Sequence, residues 1–251
     1  MELPTIIGVL MGLGAVFGGA LLEGLHLSSI LQGTAAIIVF GGTIGAALVS
    51  FPQQDLQKAI SMLGVAFKKV DNDVRPVIDE IIKVASVARK EGVLAVEGMR
   101  DSIQDPLFKK TIKFVIDGFE PQTVKDIMAS EIDIAFEEEE AAGKVWEGTG
   151  GYAPTIGIIG AVLGLIHVMA GLNEPGSDLG SGIAVAFVAT VYGVGSANLL
   201  FIPIGTKIKR KAAMRALSKE VVKLGVIGIQ EGLNPHFLRE KLEVYVEEHL
   251  R

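Results

Sequence analysis

The sequence contains no cysteine and few charged residues, and both shortages limit what the chain can be. Without cysteine there is no disulfide framework, no thiolate metal site and no cysteine nucleophile. Charged residues make up 21% of the 251 residues, and the net charge of −6 gives no basic surface for nucleic acid. Hydrophobic residues reach 49%, glycine numbers 31 and the mean hydropathy is +0.47. These values exclude a disordered chain or an ordinary water-soluble enzyme and indicate an integral membrane protein.

Four apolar segments are long enough to cross a membrane as helices. A helix needs roughly 20 residues to span about 30 Å of hydrocarbon. The segments, none of which contains Asp, Glu, Lys or Arg, are Leu3–Leu22, Leu27–Phe51, Tyr152–Leu172 and Ile183–Thr206. No basic region precedes the first segment, which is also longer than the apolar part of a signal peptide. We therefore expect it to be a retained membrane helix.

The basic residues predict the topology. Residues 52–151 contain 13 Lys and Arg and residues 207–251 contain 10, which together account for all 23 in the chain. The short connections around residues 23–26 and 173–181 contain none. Because basic segments stay on the cytoplasmic side, the two basic segments are predicted to be cytoplasmic and the two short connections to face outward. Four crossings then place both termini in the cytoplasm.

The predicted fold class is all-α, a polytopic membrane protein with four transmembrane helices and a helical cytoplasmic domain. We divide the chain into residues 1–51 (transmembrane helices 1 and 2), 52–151 (cytoplasmic helical domain), 152–206 (transmembrane helices 3 and 4) and 207–251 (cytoplasmic helical tail). Proline fits the first turn of a helix, and Pro76, Pro106 and Pro121 each stand where one is expected to begin. The helices predicted outside the membrane are Asp55–Lys69, Val77–Val87, Leu94–Ile103, Thr123–Lys144, Lys207–Val226 and His236–His249.

Residues able to do chemistry are sparse. His167 is the only histidine in the predicted membrane helices, and no acidic or basic residue accompanies it there. Histidine can relay protons, although one near a helix end more often has a structural role. The acidic run Glu137–Glu140 is typical of a solvated helix face. Since the sequence shows neither a nucleophile with a base nor metal ligands at useful spacing, we predict no enzymatic activity, no metal site and no cofactor.

Small and hydroxyl-bearing residues distinguish the predicted membrane helices. Gly157, Gly160 and Gly164 recur at helical spacing, a pattern that lets helices approach closely. Thr43, Thr155 and Thr190 could line a polar path, although most threonines in membrane helices bond to their own backbone, so the pattern alone selects none of them.

The order of these parts resembles the A subunit of the bacterial flagellar motor stator, the MotA/PomA family of the MotA/TolQ/ExbB superfamily. Ala88–Glu97 is similar to the family's cytoplasmic R-x-x-G-x-x-x-[LV]-E segment. The other matching segments are Ala153–Ile166 in the third membrane helix, Ala189–Gly193 and Phe201–Pro203 in the fourth, and Gly228–Pro235 in the tail. The resemblance spans nearly the whole chain.

The resemblance implies a stator subunit that converts ion-motive force into torque on the rotor. Five A subunits would surround two copies of a single-helix, MotB-like B subunit in a channel across the bacterial inner membrane. The rotor switch protein FliG would be the second protein partner, and neither a cofactor nor nucleic acid is implied. Because the predicted membrane helices contain no Asp or Glu, the carboxylate that ion transport needs would come from the B subunit, as it does in the family.

The resemblance also implies roles for individual residues. Arg89 and Glu97 match the charged pair that acts on the rotor, and their separation of eight residues would place both on nearly one face of a helix. Pro154 and Pro203 match two prolines tied to conformational change, with Pro154 expected in the first turn of its helix. Thr190 matches the hydroxyl that lines the ion path.

The coupling ion is predicted to be the proton, with sodium as the alternative. The resemblance implies that sodium-driven relatives have a second threonine at the position that matches Ala161. Ala161 itself offers no oxygen ligand. Two other functions remain open from the sequence. One is an ExbB/TolQ-like proton-driven energiser of envelope processes, a family with three membrane helices. The other is a membrane scaffold that conducts no ions.

Overall fold

Every element that the computed structural model describes, over residues 2–70, 73–172 and 179–246, is helical. Four helices in these ranges are long and apolar enough to cross a membrane, as predicted: Leu3–Leu22, Gly33–Ser50, Pro121–Gly171 and Leu179–Gln230. The chain divides into two compact units. The first comprises Met1–Lys69 and Glu138–Lys211, and the second comprises Val70–Glu137 and Ala212–Arg251.

The first part of the chain forms two membrane helices and one amphipathic helix. Helix α1 (Leu3–Leu22) has the predicted bounds. The second span is assembled from α3 (Gly33–Ala36), a π-helical turn (Ile37–Gly41) and α4 (Gly42–Ser50). Helix α5 (Gln53–Phe67) follows after Pro52 and buries Ala59, Met62 and Ala66.

The predicted start of the second span at Leu27 is wrong. Residues Leu27–Ile30 form a separate short helix, α2, and the span begins at Gly33. Gln32 has extended backbone angles (φ −112°, ψ 107°), which interrupt the helix between α2 and α3. The apolar composition of Leu27–Phe51 did not reveal this break, because hydrogen bonds from residues distant in the sequence stabilise it. The hydrophobicity of the segment is the same with or without the break.

The third and fourth spans belong to much longer helices than predicted. Helix α8 runs without interruption over Pro121–Gly171, so the predicted separation between Thr123–Lys144 and the third membrane helix is wrong. The glycines between the two predicted segments allow close packing: a methyl group on Gly148 would lie 2.6 Å from the Phe51 ring. Tertiary contact here overrides the weak helix propensity of glycine.

The fourth span continues directly into the tail, as predicted. Helix α9 (Leu179–Ser196) is followed by a π-helical turn (Ala197–Phe201) and by α10 (Ile202–Gln230), with no break between them. Residues 173–178, between α8 and α9, lie outside the described part of the chain.

The second unit is a helical domain with its own apolar core. Its elements include α6 (Arg75–Glu91), a 3₁₀ helix (Val93–Ser102), α7 (Pro106–Ile116) and α11 (Pro235–Glu243). Pro76, Pro106 and Pro121 stand at helix starts, as predicted. The largest side chains buried in the core are Ile78, Ile81, Phe108, Ile112, Met128, Leu238 and Leu242. The tail helix predicted to end at His249 is described only as far as α11, since residues 247–251 lie outside the described ranges.

Candidate functional site

Helices α8 and α9 meet along a seam of glycine and alanine. The seam consists of Ala153, Gly157, Gly160 and Gly164 on α8 and of Gly182, Ala186, Ala189 and Gly193 on α9. A methyl group on Gly193 would lie 2.5 Å from the carbonyl oxygen of Ala153, and one on Gly157 would lie 2.9 Å from that of Ala189. The contacts run in opposite chain order, so the two helices are antiparallel and their backbones nearly touch.

The seam fixes the directions in which Ala161 and Thr190 point. Ala161 directly follows the seam residue Gly160, and Thr190 directly follows the seam residue Ala189. Successive residues of a helix are rotated by about 100° about its axis. In an antiparallel pair, the positions that follow the two contact points lie on the same side of the pair. Ala161 and Thr190 therefore share one side of α8 and α9, and both are half-buried.

The second span covers the opposite side of this pair. Val188 precedes Ala189 and so points away from the Thr190 side, and it packs in one cluster with Ala35 and Val39. The Thr190 side, which we call the open face, is exposed in the single chain: Phe187 is 71% exposed and Ile158 is 58% exposed. Helix geometry also places Leu165, Ile183 and Val194, all exposed, on the open face.

The candidate polar residues of the membrane helices differ in their surroundings. The Thr190 hydroxyl donates to the carbonyl oxygen of Ala186 at 3.3 Å, and that of Thr155 donates to Tyr152 at 2.8 Å, so each bonds to its own helix. Thr43 is completely buried, and its hydroxyl has no hydrogen-bond partner among the described residues. His167 is exposed on α8 and is not brought near Thr190 by any described contact.

Pro154 lies in the interior of α8, not in the first turn of a helix as predicted. The error follows from the continuity of α8, which begins 33 residues earlier, at Pro121. Because proline has no N–H, the carbonyl oxygen of Gly150 lacks its usual helical donor. Gly150 also packs tightly against Ile202 of α10, where an added methyl group would lie 2.6 Å from a side-chain carbon.

Pro203 directly follows an irregularity in the fourth membrane helix. The π-helical turn Ala197–Phe201 ends two residues before it. A π-helical turn inserts one residue into the helix, which separates the proline ring from the carbonyl group that it would otherwise meet. Such turns occur often at functional sites. Pro203 is exposed, and its surroundings include α1 residues near Thr5 and Gly8.

Arg89 and Glu97 do not share one helix face, contrary to the prediction. Helix α6 ends at Glu91, and Gly92 adopts φ +87°, a left-handed conformation that favours glycine. Glu97 therefore lies in the 3₁₀ helix Val93–Ser102, while Arg89 lies in the last turn of α6. Both side chains are exposed, so both remain available to an external partner.

Sequence reasoning missed the role of Tyr192. Its hydroxyl donates to the carbonyl oxygen of Ile30 at 2.6 Å and accepts from the backbone N–H of Gln32 at 3.2 Å. Its ring stacks on Phe40, with centroids 5.7 Å apart. Tyr192 thereby satisfies backbone groups at the break between α2 and α3. No local pattern could have indicated this, since the bonded residues are 160 and 162 positions apart.

A buried charge cluster joins the start of α1 to α5 and α10, and sequence reasoning missed it too. Lys211 is 4% exposed, and its ammonium group lies 2.6 Å from the Glu2 carboxylate. It also donates to the carbonyl oxygens of Val65, Ala66 and Lys68 at 2.9, 3.0 and 2.6 Å, which caps the end of α5. Lys207 binds the same carboxylate oxygen at 2.9 Å. The two lysines lower the pKa of Glu2 to about 2.

No cluster of three or more His, Asp or Glu side chains that could hold a metal ion occurs within residues 2–70, 73–172 and 179–246. The arrangement around the seam therefore offers hydroxyl and carbonyl oxygens but no carboxylate of its own.

Known protein families and relatives match nearly the whole chain. The MotA/TolQ/ExbB proton channel family matches residues 99–221, and the motility protein A N-terminal family matches residues 6–92. Motility protein A of Bacillus subtilis (strain 168) is 31% identical over 250 residues, which cover 98% of this chain and 91% of that protein.

Two solved structures have the same fold. A chain of the C. jejuni MotAB structure superimposes with a TM-score of 0.91 at 29% identity, covering 99% of this chain and 97% of that one. A chain of the flagellar MotAB stator complex from Bacillus subtilis gives a TM-score of 0.87 at 31% identity, covering 96% and 94%. This chain therefore belongs to the MotA/TolQ/ExbB proton channel family, within its motility protein A branch.

Proposed function

We propose that the chain is the A subunit of a flagellar motor stator, which together with a MotB-like B subunit conducts an ion and turns the rotor. The observation that carries the proposal is the open face of α8 and α9. It presents Thr190 and Ala161 between exposed apolar side chains, while the second span occupies the opposite side. A single apolar helix that brings its own carboxylate would complete such a face.

The family assignment favours the stator over the related energisers of envelope processes. The match of residues 6–92 to the motility protein A N-terminal family includes α1, the membrane helix that ExbB/TolQ-like proteins lack. The Thr190 hydroxyl on the open face supports the stator over a scaffold, because a scaffold needs no hydroxyl group beside its partner; the ion-flux measurement below discriminates between them.

The assembly and its orientation are part of the same proposal. Five copies of the chain surround two B subunits in the bacterial inner membrane, with both termini in the cytoplasm. The supporting observation for the orientation is that every Lys and Arg lies in residues 52–151 and 207–251. The second unit, with Arg89 and Glu97 exposed, acts on the rotor protein FliG.

Pro154 and Pro203 act as the hinges of this cycle. Each removes a backbone donor inside a long helix, one beside Gly150 and the other after a π-helical turn. A Pro154→Ala or Pro203→Ala stator should assemble but produce little torque. Normal rotation by both variants would leave the prolines as static kinks.

The transported ion is the proton. Thr190 is the only side-chain hydroxyl that helix geometry assigns to the described part of the open face, because Ala161 carries a methyl group. A proton needs only a carboxylate and a chain of water or hydroxyl groups. Sodium needs several oxygen ligands to replace its hydration shell.

Ion flux measures the proposed function directly. The chain is co-expressed with the B subunit and reconstituted in vesicles, and proton uptake is followed after a potential is applied. Thr190→Ala should lower the flux about tenfold, as expected for the loss of one hydrogen bond to the moving ion. Thr155→Ala is the matched control, since Thr155 lies on α8 away from both the seam and the open face. Wild-type vesicles that carry no flux would favour a scaffold.

A further inference from the structure

A cavity of about 340 Å³ lies where α1 meets the end of α5 and the start of α10. Its walls are mainly apolar and include Gly8, Val9, Leu199 and Ile204. Its polar lining residues are Thr5 on α1, Asn198 in the π-helical turn and Lys207 on α10. The volume falls within the usual range of ligand sites, and the walls belong to the first and fourth membrane helices and to the end of α5.

The charge at this cavity is positive. Lys207 and Lys211 share a single carboxylate, that of Glu2, so the cluster carries one uncompensated positive charge. The Lys207 ammonium group has three N–H bonds. Among the described residues it contacts two acceptors, the Glu2 carboxylate and the Thr5 hydroxyl. One donor therefore remains for an anionic oxygen, and the Lys207 side chain is 27% exposed.

An apolar cavity that opens beside a lysine at the end of a membrane helix fits one class of ligand. The acyl chain of a phospholipid would lie against Val9 and Leu199, and the phosphate would accept from Lys207. The basic residues of the chain flank the predicted membrane helices on this side, where anionic lipids attract them. A free phosphate ion would leave the apolar walls without a partner.

We propose that this cavity is a binding site for an anionic phospholipid, with Lys207 as its phosphate ligand. The site is distinct from the open face, because its walls are formed by α1, the end of α5 and the Pro203 region. Bound lipid would fill the space beside Pro203, which is itself a lining residue.

The test counts lipids on the complex purified with its B subunit. The complex is exchanged into nanodiscs of phosphatidylcholine with one-third phosphatidylglycerol, released into detergent, and examined by native mass spectrometry. Wild-type complex should retain phosphatidylglycerol in preference to phosphatidylcholine. Lys207→Gln should weaken retention about tenfold, since it removes a charge-assisted hydrogen bond. Lys209→Gln is the control, because Lys209 pairs with Glu147 at 3.0 Å and does not line the cavity.

A second pair of variants tests the apolar part of the site without changing charge. Gly8→Leu places a side chain in the cavity, and its first carbon meets no atom within 4 Å. It should abolish retention, whereas Gly14→Leu, also in open space on α1 but not in the cavity wall, should not. If Gly8→Leu does not assemble, the lysine pair decides the question.

Three outcomes would overturn the proposal. These are a wild-type complex without bound lipid, equal retention of phosphatidylcholine and phosphatidylglycerol, and equal loss or retention in each variant and its control. None of them affects the stator assignment, which is measured by ion flux.

Discussion

The hydroxyl group of Tyr192 donates a 2.6 Å hydrogen bond to the carbonyl oxygen of Ile30, which lies 162 residues earlier in the chain. The Tyr192 hydroxyl oxygen in turn accepts a hydrogen bond from the N–H of Gln32 at 3.2 Å. The fourth membrane helix therefore holds the start of the second, and it does so two residues after Thr190. Tyr192, which anchors the second span, and Thr190 therefore lie in the same turn of α9 but on different sides of it.

Removing this hydroxyl should destabilise the membrane part of the protein. Tyr192→Phe removes the hydroxyl group that bonds both the Ile30 carbonyl and the Gln32 N–H, which keep their 3.2 Å hydrogen bond to each other. The loss of the two hydrogen bonds should cost about 1–3 kcal/mol. The measurement is the thermal midpoint of the purified complex. Tyr152→Phe is the control, since the Tyr152 hydroxyl bonds only to exposed Ser50 at 2.9 Å. Equal midpoints for the two variants would contradict a special role for Tyr192.

Substitution by alanine should have opposite effects at two glycines near the end of α9, Gly193 and Gly195. Gly193→Ala places a carbon 2.5 Å from the backbone oxygen of Ala153, so the helices must move apart, at a cost of roughly 1–3 kcal/mol. Gly195→Ala meets open space and should be neutral or stabilising by up to about 1 kcal/mol, because alanine favours a helix more than glycine. The measurements are the yield of the assembled complex and the thermal midpoint of that complex for each of the two variants. A stable Gly193→Ala complex would refute the tight seam.

The cluster around Glu2 predicts an acid-dependent loss of stability. The pKa of Glu2 falls from 4.5 to about 2 on folding, so its stabilising contribution is complete above pH 4.5 and disappears as the pH falls towards 2. Glu2→Gln should lower the free energy of unfolding by roughly 1–3 kcal/mol at neutral pH. It should also flatten the pH dependence between 4.5 and 2, measured by thermal unfolding in detergent.

Glu138→Gln is the control for this prediction. Glu138 pairs with Lys58 at 2.8 Å, and both side chains are exposed, so solvent screens the pair and Glu138→Gln should have little effect on stability. An unchanged acid limb in Glu2→Gln would assign the pH dependence to other carboxylates.

The sequence predicted correctly those structural features that depend on neighbouring residues, and it failed for features that depend on distant ones. Charge-free segments gave the four membrane helices, and Pro106 correctly gave the start of α7, because both signals arise within a few neighbouring residues. The interruption before Gly33 and the position of Pro154 in a continuous helix were predicted wrongly. The interruption is held by Tyr192, 160 residues from Gln32, and the continuous helix packs at Gly148 against Phe51, so both involve partners far along the chain.

The candidate site shows the same division. Resemblance supplied Thr190 and Ala161, and the structure places both on one side of α8 and α9, an arrangement that required knowledge of which glycines touch. Their roles remain predictions. The face shared by Arg89 and Glu97 was predicted wrongly because helical spacing does not anticipate the positive φ of Gly92.

Motility should not depend on sodium. At fixed pH, replacing sodium with potassium should leave swimming speed unchanged, because Thr190 and the partner carboxylate provide too few oxygen ligands for a dehydrated sodium ion. Speed is measured in cells that carry this stator as their only one. Motility that stops without sodium and saturates as sodium is restored would show that the ion is sodium.

The exposed charges of the second unit should act on the rotor and not on assembly. Arg89→Glu should impair swimming while the complex still forms, because the side chain is exposed and reversal turns attraction into repulsion. Lys90→Glu, at the neighbouring exposed position, is the control for a general effect of charge. Full swimming by the double variant with Arg89→Glu and Glu97→Lys would contradict a specific role for the pair.

The glycine and alanine seam also determines which motions α8 and α9 can share. Within the seam no side chain is larger than a methyl group, and the larger side chain that packs against it is that of Val168 on α8, at Gly182. Sliding of one helix along the other therefore meets little resistance away from Val168. Rotation is different: a partial turn of α9 would bring Val188 or Thr190 against the backbone of α8, where even a methyl group lacks space. Rotation of one helix about its axis is therefore transmitted to the other. The direction in which Thr190 points then changes only when α8 and α9 move together.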